Sequence, residues 1–310
     1  MAEPSRDGER AAQLEADICA EALPTALSLD KIEEFPFLSN GVRAWLKYKE
    51  PDYREPGIHP SGFSKWCAKD KAFEILAILS GDKVVRARPD PSTMLRFQAG
   101  HAAHNWWQSR IFGEMGILHG IWQCSKCGGV HGAADDLIKM PEACGFCGKG
   151  RHAIWFKEAS ITVPASKVLG VKEESLTDLE KELYRIVGHY DGMFVIKGHP
   201  NMVAELKSED PELWKRRQGP ESAHIVQGLL YAYASGVDYV AIVYINKSSY
   251  DLKTYRVGGP KKVFRDKAKD IRAVKKAVDA VKPETLDRAC PDAKHQRAKK
   301  CPFREICFSL

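Results

Sequence analysis

Met202–Lys207 alternates apolar and polar positions with the period of a strand, and it follows Ile186–Ile196 across Lys197-Gly198-His199-Pro200-Asn201, a strong turn signal. The two runs predict a β-hairpin folded about His199. Val237–Ile245 is a near-continuous β-branched run, the pattern of a buried central strand, and Leu252–Val257 predicts a shorter strand after it. Helical spacing takes over in Phe97–Phe112, in Ser222–Ser235 and from about Lys261 to Val281. Another helix begins near Cys67, with Ser61 or Ser64 as its expected N-cap. Gly120–Gln123 and His152–Phe156 read as strands flanking a cysteine-rich stretch, and Ile161–Val163 as the opening of the main sheet. Met1 to about Leu27 is polar and alanine-rich, the pattern of a frayed helix or disordered arm, and Ile32–Lys49 reads as a short helical region broken at Pro36 and near Asn40-Gly41. A Pro/Arg loop, Arg86–Pro91, precedes the Phe97 helix. Strands interleaved with helices predict an α/β fold with a mixed central sheet flanked by helices.

The predicted hairpin carries the first candidate chemistry. Glu205 and Lys207 are two residues apart and share a strand face, and folding about His199 brings Asp191 of Gly188-His189-Tyr190-Asp191-Gly192 level with Lys207. Two carboxylates beside an ammonium can hold a hard cation such as Mg²⁺ or Mn²⁺ and steady a phosphate; the same triplet also reads as an exposed cross-strand charge pair with a spare acid. His224, Gln227 and Tyr231 fall on one side of the Ser222–Ser235 helix, placed to contact a bound strand or to pack at a core edge. On the Phe97–Phe112 helix, Gly100-x-x-x-His104 precedes Trp106 and Trp107, and His104 could add an imidazole nitrogen to the cation.

The chain has nine cysteines. Cys124-x-x-Cys127 and Cys144-x-x-Cys147, sixteen residues apart, match a closed tetrahedral Zn²⁺ site. Disulfides or a redox dithiol are the alternatives; the knuckle glycines Gly128 and Gly145, and a start that lacks a signal-peptide pattern, argue against them.

These motifs together resemble the RecB-like branch of the PD-(D/E)xK nucleases, which includes the AddB nuclease domain, the CRISPR-associated RecB-like exonucleases and related phage exonucleases. The resemblance covers roughly residues 60 to 310, apart from an insertion near the middle. It implies a restriction-endonuclease-like core in which Gly100 and His104 match the family's Gly-x-x-x-His helix and Asp191 its Gly-His-x-Asp-Gly strand. Glu205 and Lys207 match its Glu-x-Lys, and Gln227 and Tyr231 its Gln-x-x-x-Tyr. His104, Asp191 and Glu205 would then hold Mg²⁺ or Mn²⁺, Lys207 would activate water, and Gln227 and Tyr231 would position the strand. The chain departs from the family at Asn105, where Glu is common, and His101 is a rival ligand to His104.

The same resemblance reaches the remaining cysteines. Cys301-Pro302-Phe303-Arg304-Glu305-Ile306-Cys307 looks like the end of the family's iron–sulfur staple, with Cys67 as its first ligand and Cys290 as another. Four thiolates suffice for a [4Fe–4S] cluster. The ten residues between Cys290 and Cys301 exceed the family's usual gap, and unlinked thiols or a second zinc site are the other readings. Cys19 has no partner left.

At 310 residues the chain can bury a full core. The expected organisation is an N-terminal arm and helical extension over 1–58 and a nuclease domain over 59–310, with a zinc ribbon inserted at 120–156. The net charge of +6 is concentrated at one end, because residues 261–300 hold fourteen Lys or Arg against six Asp or Glu. The Lys261–Val281 helix is thus a candidate phosphate track or a solvated face. No apolar run reaches transmembrane length, and the thiols suit a reducing compartment, expected to be cytoplasmic in a bacterial or phage-infected cell. The resulting expectation is a divalent-metal-dependent DNA exonuclease acting on single-stranded or frayed ends. Its setting would be recombination, repair, phage replication or CRISPR adaptation, with recombination or replication proteins as partners. A non-catalytic DNA-binding module and a structural or redox iron–sulfur scaffold are the readings from other classes.

Overall fold

The computed structural model describes residues 57–82, 84 and 91–309. Two units divide the chain, one including residues 88–97 and the other residues 54–87 and 98–310. The expected N-terminal arm with Cys19, the Ile32–Lys49 region and the loop before Pro91 lie outside the described residues.

A 3₁₀ turn, Pro60–Lys65, leads into α1 (Ala68–Leu79), and α2 (Pro91–Trp106) runs directly into a π-helical stretch, Trp107–Gly113. Then come β1 (Leu118–Cys124), the two-residue β2 (Val130–His131) and β3 (Ile138–Lys139), β4 (Ile154–Lys157) and β5 (Ala159–Val163). After α3 (Ala165–Leu169) and α4 (Asp178–Tyr184) follow β6 (Ile186–Tyr190), β7 (Met193–Phe194), β8 (Met202–Glu209), α5 (Pro211–Arg216) and α6 (Ser222–Ala234). The chain continues through β9 (Tyr239–Asn246), β10 (Leu252–Gly258), α7 (Pro260–Asp279), α8 (Gln296–Lys299) and α9 (Arg304–Ser309).

The main sheet runs β10-β9-β8-β7-β1-β2, with β3 and β4 also paired to β1. β8 and β9 are parallel, which the intervening α6 makes possible, and β7 pairs antiparallel with both β8 and β1. Side chains alternate across β8 as the period of two requires: Val203 joins the core under α6, while Ala204 and Leu206 join the core that contains Trp107 and Phe112. β9 does likewise, with Ile242 and Tyr244 on the α6 side and Ala241, Val243 and Ile245 opposite. A third cluster packs α1, α3 and α7 together through Ile75, Val168 and Ile271. The architecture is therefore mixed α/β, a mixed central sheet flanked by helices.

Three sequence expectations change. Ile161–Val163 lies in β5, which pairs only with β6 in a separate two-stranded sheet instead of opening the main one. The reason is the break after β6: Gly192 has φ of 110°, and a Cβ there would stand 2.9 Å from Leu118 Cδ1. This kink swings the chain from β6 into β7. The hairpin also turns about Gly198, at φ 81°, not His199: Met193 pairs with Val203 and Phe194 with Met202, so Asp191 is level with Glu205, two residues short of Lys207. Finally, α1 starts after Cys67, which is its N-cap; Ser61 and Ser64 belong to the preceding 3₁₀ turn.

Candidate active site

Asp191 sits at the kink between β6 and β7, where its carboxylate is held by main chain and side chain alike. The Leu206 N–H donates to Oδ2 at 2.8 Å, and the Gln108 amide donates to Oδ1 at 3.0 Å and to the Asp191 carbonyl oxygen at 3.1 Å. His104, one helical turn before Gln108, places Nδ1 3.9 Å from Asp191 Oδ1. His101 points elsewhere: its side chain is 69 % exposed, 3.9 Å from Glu158. The structure thus sets His104, not His101, beside Asp191. Burial, the largest influence, holds the His104 imidazole below its ordinary range, and Asp191 opposes this only in part.

Glu205 is 1 % exposed and its Oε1 is ion-paired with Lys207 Nζ at 2.5 Å. Burial pushes the Glu205 carboxyl up to about 7, against the pull of Lys207 and with the help of Asp191. Burial alone would lower the Lys207 ammonium, but Glu205 and Asp191 outweigh it and hold it above the ordinary lysine range. A buried carboxylate, a second carboxylate and an imidazole held toward its neutral form are the oxygen and nitrogen donor types that a divalent cation takes, and Lys207 offsets only one of the two acids.

From the N-terminal half of α6, the Gln227 amide donates to Tyr231 Oη at 3.4 Å. Tyr231 is 3 % exposed and packs on β6, where a Cβ at Gly188 would lie 2.9 Å from its ring. It braces β6 and Gln227 from inside the core and offers no face to a bound strand. His224 Nδ1 is 2.8 Å from Tyr244 Oη, which also accepts the Glu221 N–H at 3.0 Å. Burial first and Lys207 second lower the His224 pKa to about 4. The Arg217 guanidinium pairs with Glu209 and Glu221 and stacks 3.9 Å over the Tyr244 ring, closing this end of β8.

Gln108 is the residue that sequence reasoning missed; its position four after His104, on the same side of the helix, was the available signal. Its neighbours anchor the same segment to β4, since Ser109 Oγ accepts the Phe156 N–H at 2.8 Å and Asn105 donates to the Phe156 carbonyl at 3.1 Å. Asn105 therefore ties helix to sheet. Gly100 meets no close neighbour: a Cβ there would make an ordinary 3.8 Å contact with Ser208 Oγ.

The two Cys-x-x-Cys knuckles converge. Cys124 Sγ is 3.7 Å from Cys147 Sγ and Cys127 Sγ 3.6 Å from Cys144 Sγ. Four sulfurs at about 2.3 Å from one tetrahedral ion lie roughly 3.8 Å apart, so the spacing matches a metal and exceeds any disulfide. Backbone N–H groups of Cys127 and Lys126 hold the Cys124 thiol down to about 7. A Gly129 N–H favours the Cys127 thiolate, but hydrogen bonds to the Cys147, Cys144 and Cys124 sulfurs, together with burial, push it up to about 12, and a bound cation would displace that proton. Among the described residues this is the only group of three or more His, Cys, Asp or Glu whose ligand atoms all lie within 4.8 Å of one another. His104 and Asp191 lie 3.9 Å apart, but neither the set of His104, Asp191 and Glu205 nor that of Cys67, Cys290, Cys301 and Cys307 lies wholly within that distance. The latter four nonetheless gather about the start of α1. Burial pushes the Cys290 and Cys307 thiols up and the charge of Cys67 adds to both, while Cys301 Sγ donates to Asp70 Oδ1 at 3.3 Å. A cubane spreads its thiolates over four irons, so it needs a looser set than one zinc does.

No protein-family model matches the chain, and no curated protein matches it. Among solved structures, the archaeal protein SSO0001 is similar at a TM-score of 0.40 and 13 % identity, over 87 % of this chain and 96 % of its own. Rai1 of Scheffersomyces stipitis, solved in complex with 3′-NADP⁺ and a calcium ion, gives a TM-score of 0.25 and 10 % identity over 90 % and 81 %. Likenesses this distant carry no argument about activity. Among the described residues, no helix is long and apolar enough to cross a membrane.

Proposed function

We propose that the chain is a divalent-metal-dependent deoxyribonuclease of the RecB-like PD-(D/E)xK type, hydrolysing phosphodiester bonds as an exonuclease on single-stranded or frayed DNA ends. The observation that carries this reading is the buried Glu205 carboxylate, 2.5 Å from Lys207 and level with Asp191. Glu205 and Asp191 share one lysine between them, and the surplus negative charge in a largely buried site is costly unless a cation offsets it. Asp191, Glu205 and His104 would hold Mg²⁺ or Mn²⁺, which when bound lowers the pKa of water and stabilises charge on the phosphate. Lys207 orients the attacking water or a phosphate oxygen. Gln227 contacts the strand while Tyr231 steadies it, and His224, lowered to about 4, acts as a neutral hydrogen-bonding group.

The same reading assigns Zn²⁺ to Cys124, Cys127, Cys144 and Cys147, and a [4Fe–4S] cluster to Cys67, Cys290, Cys301 and Cys307. Metal-bound thiolates fit a reducing, cytoplasmic setting. Recombination, repair, phage replication and CRISPR adaptation are the processes such an activity serves.

A cleavage assay on end-labelled DNA with and without Mn²⁺ tests the proposal. Asp191→Ala and Glu205→Ala should abolish cleavage and leave DNA binding largely intact; wild-type cleavage rates in either variant would sink it.

A further inference from the structure

The second knuckle exposes an aromatic ring that folding does not explain. Phe146, between Cys144 and Cys147, is 69 % exposed. Its ring is braced from behind: it lies against Gly129, where a Cβ would stand 2.4 Å from Phe146 Cδ2, and it tilts at 53° against the His131 ring with centroids 5.2 Å apart. Only glycine at 129 lets the ring lie so close to the backbone. The knuckle beneath is tied by Cys144 N–H to the Lys149 carbonyl at 2.7 Å and Gly148 N–H to the Cys144 carbonyl at 2.8 Å. The ring is thus an apolar face held in place and turned to water.

Its surroundings carry positive charge. Lys126 in the first knuckle and Lys149 after the second are exposed, and neither forms an ion pair among the described residues. The nearby acid, Glu142, is taken up by Arg151. A single ring on a pair of knuckles that each carry an exposed lysine does not make the contiguous apolar patch that a protein partner would bury. It does match an unpaired nucleotide, whose base stacks on the ring while phosphates meet the lysines. Paired bases in a duplex present no free face for it.

We propose that Phe146 is a stacking platform for an unpaired base of single-stranded DNA, with Lys126 and Lys149 holding the flanking phosphates. That the strand is DNA rests on the nuclease reading; the stacking itself does not. The platform is rigidly joined to the candidate active site, because β1 leads from Cys124 to Leu118, which pairs with Phe194 of β7, three residues after Asp191. Six strand steps span about 20 Å, a distance a few nucleotides bridge, so a base held at the knuckle would anchor a strand whose other part lies at Asp191.

The experiment measures binding of a fluorescent oligothymidine and of a blunt duplex to the full chain, all in an Asp191→Ala background so that the strand survives. Phe146→Ala and Phe146→Leu should each weaken single-strand binding roughly five- to hundredfold, the worth of one stacked base, and leave duplex binding unchanged. Phe146→Trp should bind as tightly as the parent. Zinc content is read on every variant. If Phe146→Ala loses zinc, Phe146→Leu decides, since it keeps apolar bulk without the π face. Parental single-strand affinity in Phe146→Leu overturns the proposal, as does an equal loss on single strand and duplex. So does a zinc-loaded Phe146→Ala whose DNA binding is intact but which no longer captures a protein partner of the parent. Cleavage by the chain with Asp191 intact is scored separately. A chain that never cleaves but still loses single-strand binding on Phe146→Leu keeps the platform and loses the nuclease reading.

Discussion

Gln108 donates from one amide nitrogen to two oxygens of Asp191, the carboxylate Oδ1 at 3.0 Å and the backbone carbonyl at 3.1 Å. Gln108 is 3 % exposed, and the two contacts fix both the kinked backbone at Asp191 and the rotamer of its side chain. With Leu206 N–H on Oδ2, each carboxylate oxygen accepts one bond and keeps a lone pair to offer.

Gln108→Leu keeps the bulk and removes the donor. Partners of this kind typically change metal affinity about ten- to a hundredfold. The expected result is a rise of that size in the Mn²⁺ concentration for half-maximal cleavage, with activity recovered at high Mn²⁺ and an unchanged KM for DNA. A purely structural role for Gln108 would instead lower thermal stability without moving the Mn²⁺ requirement.

How much of this was legible depends on how local each relationship is. Glu205 and Lys207 declare themselves because two residues apart on a strand means one face. The knuckles declare themselves because Cys-x-x-Cys spacing is set within one turn. Asp191 was legible as a site residue but not in register, since choosing Gly198 over His199 as the turn centre slides its partner from Lys207 to Glu205. Gln108 could be placed on the His104 side of its helix, but its role was not legible because its partner is 83 residues away. The junction of β1 with β7, which makes the knuckle strand part of the main sheet, was equally hidden, because strand partners far apart in sequence are selected by packing and not by local pattern.

Cation binding at the proposed site should depend on pH through Glu205. Its carboxyl is pushed up to about 7 by burial, so between the ordinary range of about 4.3 and that value the folded chain holds a proton that the unfolded chain releases. Without a cation, stability should therefore fall as pH rises through this window. A bound cation must displace the same proton, so Mn²⁺ affinity should climb about tenfold per pH unit up to about 7 and level off above it. Calorimetric titration with Mn²⁺ at several pH values checks this, and proton release measured in buffers of different ionisation enthalpy gives the stoichiometry. A flat affinity profile below neutrality would remove Glu205 from the ligand set.

Cys67 caps α1 more than two hundred residues before Cys290, Cys301 and Cys307, yet the charges of Cys67 and Cys290 are both felt at Cys307. Phe73 of α1 and Phe303 between the last two cysteines stack with centroids 5.7 Å apart, so protein packing already brings the two ends of the domain together. A cluster at this junction closes a long loop, and its loss should cost roughly 2–5 kcal/mol, as the loss of a native cross-link does. Metal analysis of anaerobically purified protein should find one zinc and four irons per chain, with a brown colour and broad visible absorption. Cys301→Ser and Cys307→Ser should bleach it and lower stability while zinc stays bound. Cys290→Ser is the sharper test, because ten residues separate it from Cys301: full colour in that variant would remove Cys290 from the ligands. A colourless wild type carrying two zinc ions would show that the terminal cysteines hold zinc, and the clasp would then be a second structural zinc site.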